Sequence, residues 1–246
     1  MSAVSDFERR VRAALDRSGF TSGRQAPTCV VHADGSSWTA HAEAASALLT
    51  GAELQRAARL PGAREREAYV LAHALWRIVL AAALQLPCER VVLHHSPQGQ
   101  PLLPGTGLST SLSHSGHDVA IAVSQGPCVG VDIERCPARY PMDDLLAAFC
   151  SAAEQAHLAT LPAPQRQREA LQLWTRKEAL LKAWGTGLLL DPCAVELATD
   201  RPIGPTALAN VAPCRVHDLA PRTGLLGAVA TALPDDRPAS FVIMPS

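Results

Sequence analysis

Residues 174–188 read WTRKEALLKAWGTGL. Lys177 through Ala183 are good helix formers with no breaker among them, and Gly185 and Gly187 supply a stop. The pattern predicts a helix over Trp174–Leu188. Trp174, Glu178 and Leu181 or Lys182 fall three or four residues apart, so they share one face. That face places an acid and a base among Leu and Trp. The plain reading of Glu178 and Lys182 is a surface ion pair at i, i+4, worth ~0.2–0.5 kcal/mol. An upstream stretch, Gly130-Val131-Asp132-Ile133-Glu134, argues for more.

The chain has 246 residues, 48% hydrophobic and 18% charged, which is a core-forming composition large enough for one large domain or two small ones. A net charge of −1 provides no global basic field, so neither nucleic acid nor a membrane surface is expected as a partner, and any anionic ligand needs a local cluster. No run of 18 apolar residues suggests a bilayer span. The first 17 residues mix acids and arginines without an apolar signal core, so a cytoplasmic location is expected. Seven cysteines, at 29, 88, 128, 136, 150, 193 and 214, include no C-x-x-C. They read as small buried hydrophobes rather than as disulfides or zinc ligands.

Capping-box spacings predict helices from Ser5 to about Arg17, from Thr50 to about Leu60 and over Ser151–Leu161. Arg64–Leu86 reads as a long amphipathic helix, and Asp143–Phe149 as a further helical segment. Strands are expected at Thr28–His32, Arg90–His94, Ser109–Ser115, Val119–Val123, Val129–Glu134, Ala194–Ala198, Cys214–His217, Leu225–Ala232 and Phe241–Met244. Gln125-Gly126-Pro127 divides the chain into residues 1–126 and 127–246. The expected class is α+β: two similar halves, each a long helix against a small, mainly antiparallel sheet, with the active site in a cleft between them.

Side chains alternate along a strand, so Asp132 and Glu134 point the same way. Two carboxylates on one face call for a cation between them, either an arginine or a hard divalent ion such as Mg²⁺. Glu178 adds a third carboxylate and Lys182, one turn along, a positive charge. That set suits phosphoryl transfer, where the protein mainly positions groups and neutralises charge. Ser113 and His114, in Leu112-Ser113-His114-Ser115-Gly116-His117, offer a hydroxyl and an imidazole. His114 reads either as a structural histidine or as a phosphate contact. His117 beside Asp118 reads as turn chemistry, and H-x-x-H alone is not a zinc site.

SLSHSG at 111–116, GVDIE at 130–134 and WTRKEALLKAWGTGL at 174–188, in this order, resemble the 4′-phosphopantetheinyl transferases, specifically their larger two-subdomain, Sfp-like group. The resemblance runs from about residue 50 to 190. It implies that coenzyme A, the co-substrate, binds between the halves and that Mg²⁺, replaceable by Mn²⁺, is held by Asp132, Glu134 and Glu178. It implies transfer of phosphopantetheine to a serine of an acyl or peptidyl carrier protein, with adenosine 3′,5′-bisphosphate leaving. Glu178 is then the base, directly or through a water, and Lys182 serves the leaving phosphate. Ser113, His114, Arg56, Arg66 and Pro101 fall on the coenzyme A side, and a monomer is expected.

The chain departs from the family pattern at Gln100 for Lys, at Ser111 for Asn, and at Glu53 where relatives carry a base. These changes place the phosphate grip in question, with Arg56, Arg66 or His73 as substitutes. The residues also leave room for a metal-dependent nucleotide phosphohydrolase or a non-catalytic relative that binds coenzyme A or carriers. Polyketide and nonribosomal-peptide carriers of secondary metabolism fit the larger group best.

Overall fold

The computed structural model describes residues 3–21, 26–197, 201–204, 211–233 and 237–245. In chain order the described elements are α1 (Ala3–Ser18), β1 (Thr28–Asp34), α2 (Ala42–Ser46), α3 (Gly51–Ala58), α4 (Ala63–Leu84), β2 (His94–His95), β3 (Pro101–Leu102), β4 (Ser109–Ser115), β5 (Asp118–Ser124) and β6 (Val129–Arg135). There follow α5 (Leu146–Phe149), α6 (Ala152–Ala159), α7 (Ala163–Trp184), β7 (Arg215–Leu219), β8 (Leu225–Thr231) and β9 (Ala239–Ile243). The class is α+β, as the sequence reading has it.

One sheet has the order β4-β5-β1-β9 and another β6-β8-β7, with β2 and β3 forming a small hairpin. The pairings are antiparallel except β1 with β9. Each larger sheet carries a 22-residue helix, α4 on the first and α7 on the second. The tail strand β9, grouped with the second half in the sequence reading, instead lies parallel to β1 in the first sheet. Phe241 and Ile243 reach the first core from it, which covers an otherwise bare strand edge.

The long central helix α4 is apolar enough by length and composition to cross a membrane, but 72% of its apolar window is buried within the protein. It is the core helix of the first half. Leu71, Leu75, Ile78 and Leu80 on it are fully buried, each contributing about 1.5–3 kcal/mol of apolar transfer. Between the two sheets, Val30, Ala120 and Ala122 pack against Val131, Ile133, Leu219 and Val229. At one end of that contact Asp118, buried, accepts from Arg135 Nε (3.0 Å) and from Arg222 Nε (2.8 Å). His117 is also buried and pairs with Glu67 (Nε2 to Oε1, 3.1 Å). The pair His117-Asp118 thus ties elements together rather than making only a turn.

The capping boxes at Thr50 and Ser151 are both formed. The helix through 174–188 ends where expected, with Gly185 left-handed at φ 68. It begins at Ala163 rather than Trp174. Two prolines and a polar run resemble a loop, but Pro164 lies in the first helical turn, where no intrahelical N–H is needed. Three further expectations are corrected. Of Arg90–His94 only His94 lies in a strand, the two-residue β2, while Arg90 ends a 3-10 turn over Cys88–Arg90 and Val91–Leu93 pairs with no strand among the described residues. Asp143–Phe149 is a 3-10 turn followed by one α-turn. Pro192–Ala194 is a 3-10 turn and Val195–Leu197 has no strand pairing among the described residues, which do not include Ala198. Five of the cysteines, Cys29, Cys88, Cys128, Cys150 and Cys214, are buried as small hydrophobes, whereas Cys136 and Cys193 are only half-buried.

Lys177 is fully buried, and its ammonium donates to Phe149 O (2.8 Å), Pro192 O (2.9 Å) and Glu154 Oε2 (2.6 Å). Those three bonds use all its protons and pin α7 to α5, α6 and the 192–194 turn. Lys177→Met leaves two carbonyls and a carboxylate oxygen without that donor. A loss of about 3–5 kcal/mol is expected in urea unfolding; a loss under about 1 kcal/mol would contradict this role.

Candidate active site

The site forms where α7 crosses β6 and where β6 meets β4. Gly130, Asp132 and Glu134 alternate on the β6 face that meets α7. Gly130 is what lets the helix so close. A Cβ there would stand 1.9 Å from Ala179 O and 2.5 Å from Ala183 N, both backbone atoms. Ala179, Leu180, Leu181 and Ala183 are buried on α7, and Glu178 and Lys182, one turn apart on it, come close to the acidic positions of the strand. Lys182 donates to Asp132 Oδ1 (2.7 Å) and to Val131 O (3.2 Å). The i, i+4 pair with Glu178 is therefore not its main contact. Ser113 donates to the same Asp132 oxygen (2.9 Å), and Ser115 to Glu134 Oε2 (2.8 Å).

Burial raises the Glu134 carboxyl above its ordinary range, and Asp132 and Glu178 add to this, while Ser115 and Lys182 oppose it. Burial likewise raises Glu178, with Asp132 adding and Lys182 opposing. Asp132, Glu134 and Glu178 thus raise one another's cost of ionisation, and Lys182 offsets part of it. His114 is reached by solvent, yet desolvation by the surrounding protein, then the charges of His73 and Lys182, hold its imidazole below the ordinary value. At neutral pH it is a hydrogen-bonding group rather than a standing cation.

The remaining residues of the sequence reading divide. Arg66 donates to Leu60 O (2.9 Å) and Pro61 O (3.4 Å), closing the end of α3. Arg56 is exposed and makes no side-chain hydrogen bond or ion pair among the described residues. His73 stacks on Tyr69 (3.9 Å between centroids) and approaches Glu53 Oε1 (3.4 Å). Pro101 opens β3 and pairs with His95.

The three departures each have a structural occupation. Glu53 is buried, completes the Thr50 capping box and receives Arg77 (Nη2 to Oε2, 2.9 Å). Burial opposes its ionisation, but His73, Thr50 and Arg77 outweigh it and hold the carboxyl at about 2. Gln100 Nε2 donates to Ala183 O (3.1 Å) at the end of α7. Ser111 is buried and accepts from Val131 N (3.1 Å). Sequence reasoning overlooked Ser115 and these contacts. The alternation Ser111, Ser113, Ser115 on one strand was the available signal.

Among the described residues no three His, Cys, Asp or Glu side chains converge as a ready metal site. The donor chemistry nevertheless fits a hard cation. Asp132 Oδ2 is buried with no hydrogen-bond partner, an uncommon state for a carboxylate oxygen. It lies beside two further carboxylates whose ionisation is disfavoured. Carboxylate oxygens are what Mg²⁺ takes.

A model of the family described as the 4′-phosphopantetheinyl transferase superfamily matches residues 128–223, which hold Asp132, Glu134, Glu178 and Lys182. The chain is 29% identical over 192 residues to the 4′-phosphopantetheinyl transferase HetI of Nostoc sp., covering 76% of this chain and 80% of that protein. It is 30% identical over 169 residues to the 4′-phosphopantetheinyl transferase psf-1 of Bacillus pumilus, covering 67% of this chain and 71% of the relative. With the 4′-phosphopantetheinyl transferase ffp of Bacillus subtilis it shares 28% over 170 residues, 68% of this chain and 74% of the other. The chain thus belongs to the 4′-phosphopantetheinyl transferase superfamily.

Proposed function

We propose that this chain transfers the 4′-phosphopantetheine of coenzyme A to a serine hydroxyl of an acyl or peptidyl carrier protein, releasing adenosine 3′,5′-bisphosphate. The observation that carries the reading is the Lys182–Asp132 pair between α7 and β6, with Glu134 and Glu178 close enough to interact electrostatically with both. Asp132, Glu134 and Glu178 would hold Mg²⁺, which when bound supplies charge neutralisation for the pyrophosphate.

The protein's own groups do the rest. Glu178 takes the proton of the carrier serine, directly or through a water. The serine oxygen bonds to the β-phosphorus and the bond to the bisphosphate oxygen breaks. Lys182, 30% exposed while bound to Asp132, places an ammonium beside that leaving oxygen. His114 offers its ring to a phosphate as a hydrogen-bonding partner. The same reading has a monomer acting in the cytoplasm, with no nucleic acid or membrane partner.

The test is intact-mass spectrometry of an apo peptidyl carrier protein incubated with this chain, coenzyme A and Mg²⁺. A gain of one phosphopantetheine is expected, lost with EDTA and restored by Mn²⁺. No gain with peptidyl, polyketide and fatty-acid carriers would overturn the reading. Release of the bisphosphate without any carrier would indicate a hydrolase instead.

A further inference from the structure

The strands β4 and β6 lie side by side but belong to different sheets and share no backbone ladder. Serine hydroxyls take its place. Ser111, Ser113 and Ser115 accept from the backbone N–H of Val131 (3.1 Å), Ile133 (3.3 Å) and Arg135 (3.3 Å). Alternate residues on one strand thus engage alternate residues on the other. Two of the rungs do more. Ser113 spends its single proton on Asp132 Oδ1 (2.9 Å), and Ser115 spends its own on Glu134 Oε2 (2.8 Å). Each of these hydroxyls holds a carboxylate and the peptide immediately after it. Ser111 has no such carboxylate, because its register falls on Gly130, where α7 leaves no room for a side chain.

We propose that Ser113 and Ser115 are positioning residues, fixing Asp132 and Glu134 in the orientation that receives the cation and phosphate. This rests on the reading of those carboxylates given above. Ser113, with its proton committed to Asp132, then acts on coenzyme A through that carboxylate rather than by touching it. Partners that orient metal-binding carboxylates typically matter 10–100-fold in affinity, whereas an ordinary surface hydroxyl would not.

The probe is Mn²⁺ alone, titrated calorimetrically into the full chain without coenzyme A. Ser115→Ala is expected to weaken Mn²⁺ binding about tenfold or more, and Ser115→Thr, which keeps the hydroxyl, to stay within about threefold of the starting protein. Ser113→Ala is expected to weaken Mn²⁺ binding as well, while coenzyme A binding in EDTA changes less than about threefold. Thermal unfolding of each variant shows that it is folded. Unchanged Mn²⁺ affinity in Ser115→Ala overturns the positioning role and leaves transfer by the starting protein standing. Lost coenzyme A binding in EDTA, with unchanged Mn²⁺ affinity, in Ser113→Ala overturns the assignment for Ser113. A starting protein that binds no Mn²⁺ and modifies no carrier overturns the reading beneath both.

Discussion

Glu178→Gln is expected to lower kcat/KM for carrier modification about 10²–10⁴-fold, the range of a lost general base, with the melting temperature unchanged. The expectation follows from what Glu178 does not do. It is half-buried on α7 yet makes no hydrogen bond or ion pair with the rest of the protein among the described residues. Its neighbours Lys177 and Lys182 carry the structural and strand contacts instead. Removing its charge therefore costs little packing. Its carboxyl is raised by burial and by Asp132, and a base must be ionised to act. The acid limb of the pH–rate profile is therefore expected to include its ionisation, and activity falls as pH drops through it. Gln cannot ionise, so the residual activity should lack that limb. Activity above about a tenth of the starting level would remove Glu178 from this role.

Gly130→Ala is expected to lower stability by more than about 3 kcal/mol and to remove activity together with it. The new methyl would meet Ala179 O at 1.9 Å and Ala183 N at 2.5 Å. Neither is a flexible side chain that can swing aside. The helix must back away from β6, and Ala179 and Ala183, buried in the core between α7 and β8 with Ala228 and Ala230, move with it. That motion also lifts Lys182 from Asp132. A fall of about 6–12 °C in melting temperature corresponds to this loss for a chain of this size. A variant with normal melting and normal transfer would show that α7 can shift without cost. Gly130→Ala and Glu178→Gln differ in kind: one disturbs the platform, the other only the chemistry.

The departures at Glu53, Gln100 and Ser111 show where reading from the sequence reached its limit. Against a family pattern each looked like a missing phosphate contact. In the fold Glu53 holds Arg77 and caps α3, Gln100 closes the end of α7, and Ser111 is a rung between strands. Conversely Arg66, offered as a substitute grip, is occupied with the carbonyls of Leu60 and Pro61. The shared faces of Asp132 with Glu134 and of Glu178 with Lys182 were legible, because a D-x-E on a strand and an E-x-x-x-K on a helix declare their faces by period alone.

The sequence by itself determined the features that depend on near neighbours. These are the capping boxes at Thr50 and Ser151, the stop at Gly185, the alternation along 109–115 and 129–135, and the acidic face of the second. Each rests on hydrogen bonds or side-chain directions set within a few residues. Only the tertiary structure decided that β9 returns to β1, that Lys182 prefers Asp132 to Glu178, and that Ser113 and Ser115 give their protons to the carboxylates. Those outcomes join residues 19 to 50 positions apart in the site, and 210 apart between β1 and β9, where Cys29 pairs with Ala239. A hydroxyl or ammonium donates to whichever acceptor packing brings within reach, and that is settled by the close seating of α7 on Gly130 rather than by any local pattern.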